Sequence, residues 1–198
     1  MLHNLKIYLV LLVALLLSGC MNMGGKMEAM TGARYADLER EALKEVPDMA
    51  TAKTVKLFPL CMAYAKEKKY NKAFPCLDQL EKNVKNGDTN MTDSEQMEKD
   101  NPLMMGLAKM GSGMAGADLE QDATAYVYLT RAEAYLDIGE YAKAIADAKS
   151  AIAAKPKNWN LERWHQINTQ GVLTLAYALS GEKEKALAGA KQLEDIST

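Results

Sequence analysis

The sequence predicts an all-α fold, and three observations carry that prediction. Alanine is abundant and proline scarce, at five in 198 residues, which favours helix. Apolar and small residues recur every three or four positions in several stretches, the spacing that puts them on one helix face. Glycines at 139 and 181 interrupt that pattern at matching places, so the helices are expected as short pairs joined by tight turns. The expected organisation is a leader at 1–19, a flexible tether at 20–33, and a helical-hairpin domain at 34–198 with an insertion at 86–121.

Hydrophobic residues make up 48% and charged residues 25% of the chain, so wholesale disorder is excluded. Lys and Arg number 24 against 26 Asp and Glu. Without a basic excess to neutralise phosphates, nucleic-acid binding is not expected.

The leader comes first. Residues 1–4 with Lys6 make a short, weakly basic start, and residues 7–17 are an unbroken apolar run. That run is too short for a spanning helix, which takes roughly 20 residues, but suits the apolar core of a secretory signal. Leu17-Ser18-Gly19-Cys20 follows. Small residues at 18 and 19 let the chain enter a peptidase cleft extended, and Cys20 offers a thiol for acylation. This tetrad resembles the lipobox of bacterial lipoproteins at every position. The resemblance implies diacylglycerol on the Cys20 sulfur, cleavage before Cys20, and acylation of the new amino terminus. Two or more acyl chains anchor stably where one binds only marginally. The residue after Cys20 is Met21 rather than Asp. By the same resemblance this implies the outer membrane, facing the periplasm. An uncleaved anchor, or an ordinary signal with a chance cysteine, is the alternative. Residues 21–32 carry three glycines and no apolar period, hence the expected tether.

Beyond Cys20 two cysteines remain, Cys61 and Cys76, an even pair suited to an oxidising compartment. Either they form a bridge or they are two buried free thiols.

The helical domain repeats itself. In residues 125–156, Tyr128, Ala132 and Tyr135 share one helix face, Gly139 marks a turn, and Tyr141, Ala144, Ala148, Ala151 and Ile152 resume the pattern until Pro156. This stretch resembles a tetratricopeptide repeat. It departs at Tyr128, where the family often has Trp, and at Arg131, usually Leu. A second copy follows in Tyr177, Gly181, Ala186, Ala190 and Leu193. It is offset by 42 residues rather than 34, with the extra length expected in the connection around 157–163. Trp159 and Trp164, in or beside it, are expected to cover the junction, with an aromatic ligand shelf as the lesser reading. A third copy lies upstream in Tyr64, Tyr70, Ala73, Leu77 and Leu80, with Lys68 in place of the turn glycine. Pro59 and Pro75 fall inside its predicted helices, where kinks or altered boundaries are expected. In the register of the resemblance, Cys61 and Cys76 lie on faces that press together, which favours their bridge. Residues 34–46 add an amphipathic helix, with Tyr35, Leu38, Ala42 and Val46 on one stripe, placed to cap the array.

The insertion at 86–121 is rich in Met, Gly, Asp and Asn, and all thirteen methionines of the chain precede residue 115. It is expected to fold over the array. Two other readings are an adaptable surface for a peptide or lipid, and a copper site through Met91, Met97, Met104, Met105, Met110 and Met114. Asp88, Asn90 and Asp93 resemble a calcium loop only faintly, since its glycine and closing glutamate are misplaced.

No GxGxxG, Walker A, GxSxG, HExxH or CxxC motif is present. An unfamiliar site around His165 and Glu162 is the weakest reading, and the chain is not expected to be an enzyme. By the family register, the lining of a binding groove would be Phe58, Met62, Lys66, Tyr126, Leu129, Glu133, Asp137 and Asn168. Its acidic and aromatic character would suit a peptide carrying a basic residue. The function expected is that of a membrane-anchored envelope adaptor that binds a protein, with no cofactor beyond the lipid on Cys20. Self-association through an end repeat is a further expectation, and a metal- or small-ligand-binding lipoprotein using residues 91–114 is the alternative.

Overall fold

Seven helices and no strand form among residues 24–90, 122–155 and 159–197, which the computed structural model describes. They are α1 (Gly24–Glu45), α2 (Thr54–Lys66), α3 (Tyr70–Lys85), α4 (Thr124–Asp137), α5 (Tyr141–Ala154), α6 (Trp159–Leu179) and α7 (Lys183–Ser197). Each packs on its neighbours in sequence, and α4 also touches α2 and α6. The fold is therefore all-α, and α2, α4 and α6 stand in a row. Among the described residues no helix is long and apolar enough to cross a membrane.

Three of the connections are copies of one turn. Lys68, Gly139 and Gly181 all take a left-handed backbone, with φ of 58°, 80° and 85°. One residue later the N–H of Lys69, Glu140 and Glu182 donates to the carbonyl of Tyr64, Tyr135 and Tyr177, at 2.9 Å each time. Such a bond spends a carbonyl that the helix end leaves free. The carbonyl of each of these same residues then accepts the first bond of the next helix, from Ala73, Ala144 and Ala186. Glycine suits two of the turns because it has no Cβ to crowd there, whereas Lys68 adopts the same conformation against that penalty.

The helices bury two apolar clusters. In the first, Leu57, Leu60, Cys61 and Tyr64 of α2 meet Ala73, Cys76, Leu77 and Leu80 of α3, and Val46, Ala123 and Val127 join them. The second gathers Ala132, Ala148, Leu173 and Tyr177 from α4, α5 and α6. Alanines at 132 and 148 allow the backbones to come close. The same holds for α6 and α7, where a Cβ on Gly189 would stand 2.4 Å from Thr174 Oγ1.

Cys61 and Cys76 form the bridge, with an S–S distance of 2.04 Å and Cα atoms 5.3 Å apart. Both are fully buried, so the bond closes the first hairpin from inside. Closing a loop of 15 residues is worth roughly 3 kcal/mol in the chain-entropy account.

Three expectations change. α1 begins at Gly24, so residues 24–33 of the expected flexible tether are helical. Good helix formers (Met27, Glu28, Ala29, Met30 and Ala33) extend the pattern that starts at 34. Helices α2 and α3 run through Pro59 and Pro75 without a break. Each proline forfeits one backbone bond, to Val55 and to Asn71. The buried neighbours and the disulfide on either side hold the helices regardless. Finally, the extra length before the last hairpin does not form a loop, because α6 already begins at Trp159 and runs for 21 residues.

The insertion leaves and returns at one point. Asn90 and Asp122 pair as an antiparallel bridge, and the Ala123 N–H donates to the Thr89 carbonyl at 2.7 Å. Beside this neck two aspartates cap helices. The Thr54 N–H donates to Asp88 Oδ2 at 2.8 Å, and the Thr124 N–H to Asp122 Oδ1 at 2.8 Å. A carboxylate at a helix N-terminus satisfies a free donor and faces the positive end of the helix dipole. Asp88 thus serves the start of α2, 34 residues upstream. Residues 91–121, including six methionines and Asp93, lie outside the described part.

Candidate binding face

The row α2, α4, α6 carries the residues expected to line a groove, and the structure brings four of the eight into contact with one another, as Phe58–Tyr126 and Lys66–Glu133. At one end Phe58 meets Tyr126 edge-on, ring centres 6.4 Å apart, and Tyr126 stacks on Trp164 at 6.4 Å. In the middle the Thr130 hydroxyl lies 3.1 Å from the Met62 sulfur. At the other end Lys66 Nζ pairs with Glu133 at 3.1 Å. Asp137 receives Lys68 at 3.0 Å and the Tyr70 hydroxyl at 2.6 Å. Phe74 stacks on Tyr135 at 4.6 Å. Apart from the Tyr126–Trp164 stack, which reaches α6, these contacts join the first hairpin to the second.

Electrostatics follow from these pairs. Burial opposes the Lys66 ammonium, but the charge and hydrogen bond of Glu133 outweigh it and hold the lysine above its ordinary range. Burial likewise pushes Asp137 up, yet Tyr70 and Lys68 bring it below the usual carboxylate range. The acids on this face therefore already have partners, and the expected preference for a basic peptide loses its main support. Leu129 is only 3% exposed and belongs to the interior. Asn168 spends its amide on the Trp164 carbonyl of its own helix, at 2.7 Å.

Beside these exposed charged pairs, the open part of α6 is largely apolar. Residues 164–181 contain no Asp, Glu, Lys or Arg. Along α6, Trp164, Leu175 and Leu179 are 52%, 43% and 51% exposed. With Asn168 and Gly171 they follow at three- and four-residue steps, one stripe of a helix. A Cβ on Gly171 would meet nothing within 4 Å, so the stripe has an open notch at its centre. Trp164, expected to cover a junction, does stack on Tyr126 but leaves half its surface outside. Trp159 begins α6, and its side chain lies outside the described part. A second concave feature, a crevice of about 520 Å³, lies between the end of α1 and the first hairpin, lined by Leu43, Val46, Met49, Leu60, Tyr64 and Pro75 among others.

Behind the face, Arg131 ties three helices together. It is 8% exposed and makes two hydrogen bonds to Asp147 of α5, at 2.7 and 3.0 Å. It also reaches Asp78 at 2.9 Å and Glu81 at 2.5 Å on α3. Burial opposes this charge too, but the carboxylates prevail and raise its affinity for the proton. Sequence reasoning noticed Arg131 only as a departure from leucine, because its partners lie 16 to 53 positions away.

Among the described residues no group of three or more His, Cys, Asp or Glu side chains could hold a metal ion. The copper reading falls on methionines outside the described part. Set against family models, curated proteins and solved structures, the chain matches none of them.

Proposed function

We propose that this chain is a lipid-anchored protein of the bacterial envelope that acts by binding another protein, without catalysis, through the row of helices α2, α4 and α6. The observation that carries the proposal is the α6 stripe. An uncharged, exposed apolar stripe on a helix beside others of its kind is the mark of a surface that meets a partner. The threefold turn at Lys68, Gly139 and Gly181 supports reading the three hairpins as repeats similar to tetratricopeptide units. The lipobox resemblance at Leu17–Cys20 supplies the address, the outer membrane facing the periplasm.

Because Glu133 and Asp137 are paired within the chain, the partner is recognised chiefly through apolar residues at Trp164, Leu175 and Leu179. A photo-cross-linker at position 175 or 179 of the full-length protein in cells tests this. Capture of one recurrent envelope protein supports the adaptor reading, and links to other copies of the chain alone overturn it. Palmitate labelling tests the anchor separately. Cys20→Ser should abolish it, and undiminished labelling rejects the lipobox reading.

A further inference from the structure

His165 is the only histidine among the described residues, and it is 1% exposed where α4, α5 and α6 meet. Its Nε2 lies 3.2 Å from the Ala151 carbonyl oxygen and 3.3 Å from Thr169 Oγ1. A carbonyl can only accept, so Nε2 carries the hydrogen and Nδ1 is a bare lone pair. That nitrogen is buried and has no hydrogen-bond partner.

The groups around the ring offer no counter-charge. From α4 comes Tyr126, its ring centre 5.6 Å away, with a hydroxyl that is also buried and unpartnered. From α5 comes the Ala151 carbonyl, and from α6 the Thr169 hydroxyl. Among the described residues no charged side chain acts on the imidazole. Burial, only partly offset by the Ala151 hydrogen bond, holds its proton affinity below the ordinary value.

Further along α6 its seam with α4 and α5 is apolar. Ala132 and Ala148 meet Leu173 and Tyr177 there, with Lys149 over the Tyr177 ring at 5.9 Å. The seam between α3 and α4 has the Arg131 hub in addition. A charge placed inside the first of these seams reaches water most readily if α6 moves away from α5.

We propose that His165 is a proton-sensitive joint, which holds α6 against α5 while neutral and loosens the α6–α7 hairpin from the rest of the protein when Nδ1 takes up a proton. The direction follows from linkage. The open state charges near the ordinary histidine value, about 6.5, and the closed state charges at a lower pH. The closed joint is therefore fully stable above about 6.5, and its stability is lost as the pH falls from there towards the closed-state value. Within that window the opening equilibrium rises by at most about tenfold per pH unit.

Hydrogen exchange of the mature full-length protein in detergent micelles, between pH 7.5 and 5.0 and corrected for intrinsic rates, tests the joint. Residues 165–197 should lose protection on acidification, by up to tenfold per unit, while α2 and α3 keep theirs. His165→Gln, which can still donate to Ala151, should flatten the response. Protection of 165–197 that does not change with pH, or an equal loss in His165→Gln, overturns the proposal. Should that variant not fold, the imidazole resonance of the native protein decides. Charging with α6 and α7 still protected would mean that Tyr126 accepts the new N–H, and it would overturn the proposal too.

Discussion

Lys72 Nζ lies 5.2 Å from the centre of the Tyr64 ring, eight residues upstream, and the same pair recurs twice. Lys143 lies 5.4 Å from Tyr135 and Lys185 5.3 Å from Tyr177. Each tyrosine is the residue whose carbonyl closes the hairpin turn, and each lysine sits in the first turn of the following helix. The ammonium thus rests on a ring face and clips the two helices of a hairpin together. Lys72→Ala and Lys143→Ala should each lower the stability measured by urea unfolding by about 0.5 kcal/mol, the size of an exposed cation–π contact. Arginine at either position should restore it. Equal loss with Lys→Arg would show that the contact is incidental.

At the first turn the backbone is strained where its two counterparts are not. Lys68→Gly should relieve the left-handed conformation, worth roughly 1–2 kcal/mol for a residue with a side chain, against the larger entropy of glycine in the unfolded chain. A net gain of about 0.5–1 kcal/mol is expected. The exposed Lys68–Asp137 pair is lost in the exchange and subtracts little. A fall in the urea midpoint would contradict this account.

Removing Arg131 leaves Asp147 buried without its partner. Arg131→Leu, although it restores the residue usual in the resembling repeats, should cost about 3–5 kcal/mol. The double variant Arg131→Leu with Asp147→Ala should recover most of that, because the uncompensated carboxylate is gone. Additive losses in the two single variants would show that the pair is not a unit.

Glu81 and Asp137 contribute to the loss of stability in acid. Burial raises both, but Lys85 and Arg131 outweigh it at Glu81, and Tyr70 and Lys68 do so at Asp137. Both carboxyls are therefore held below their unfolded values. The stability they contribute is complete above about pH 4.5 and is lost as the pH falls through that value towards their folded-state values. The urea midpoint should drop between pH 5 and pH 3, and the drop should be smaller in Glu81→Gln. An unchanged slope would place the acid sensitivity elsewhere. This window opens at a lower pH than that of His165, whose onset is near about 6.5.

Helix periodicity and turn glycines made the hairpins legible in the sequence, because local spacing alone generates them. Lys68 shows the limit of reading by residue type, since a lysine does a glycine's task once the helices on both sides are fixed. The Tyr–Lys clips were readable in principle, as three pairs at a spacing of eight, but not from a template whose positions are apolar. Asp88 illustrates what no local pattern reveals. It looked like a fragment of a calcium loop, and its task at the start of α2 exists only after α3 has folded back. The charge pairing on the candidate face is illegible for a related reason. Lys66, Glu133 and Asp137 were read one helix at a time, and packing then paired them with each other and with the turn. The exposed stripe on α6 was left unread because its leucines, taken singly, look like core.

The neck at Asn90 and Asp122 gives the molecule a port. The chain departs and returns through a single bridge, so the two ends of whatever is strung between those residues are held side by side. Loop closure grows only with the logarithm of length, about 0.6 kcal/mol per doubling, so length added at the bridge costs the scaffold little closure entropy. A fluorescent protein or an affinity module spliced in beside this bridge would have both its ends fixed at one place on the scaffold, a handle for following the chain in living cells.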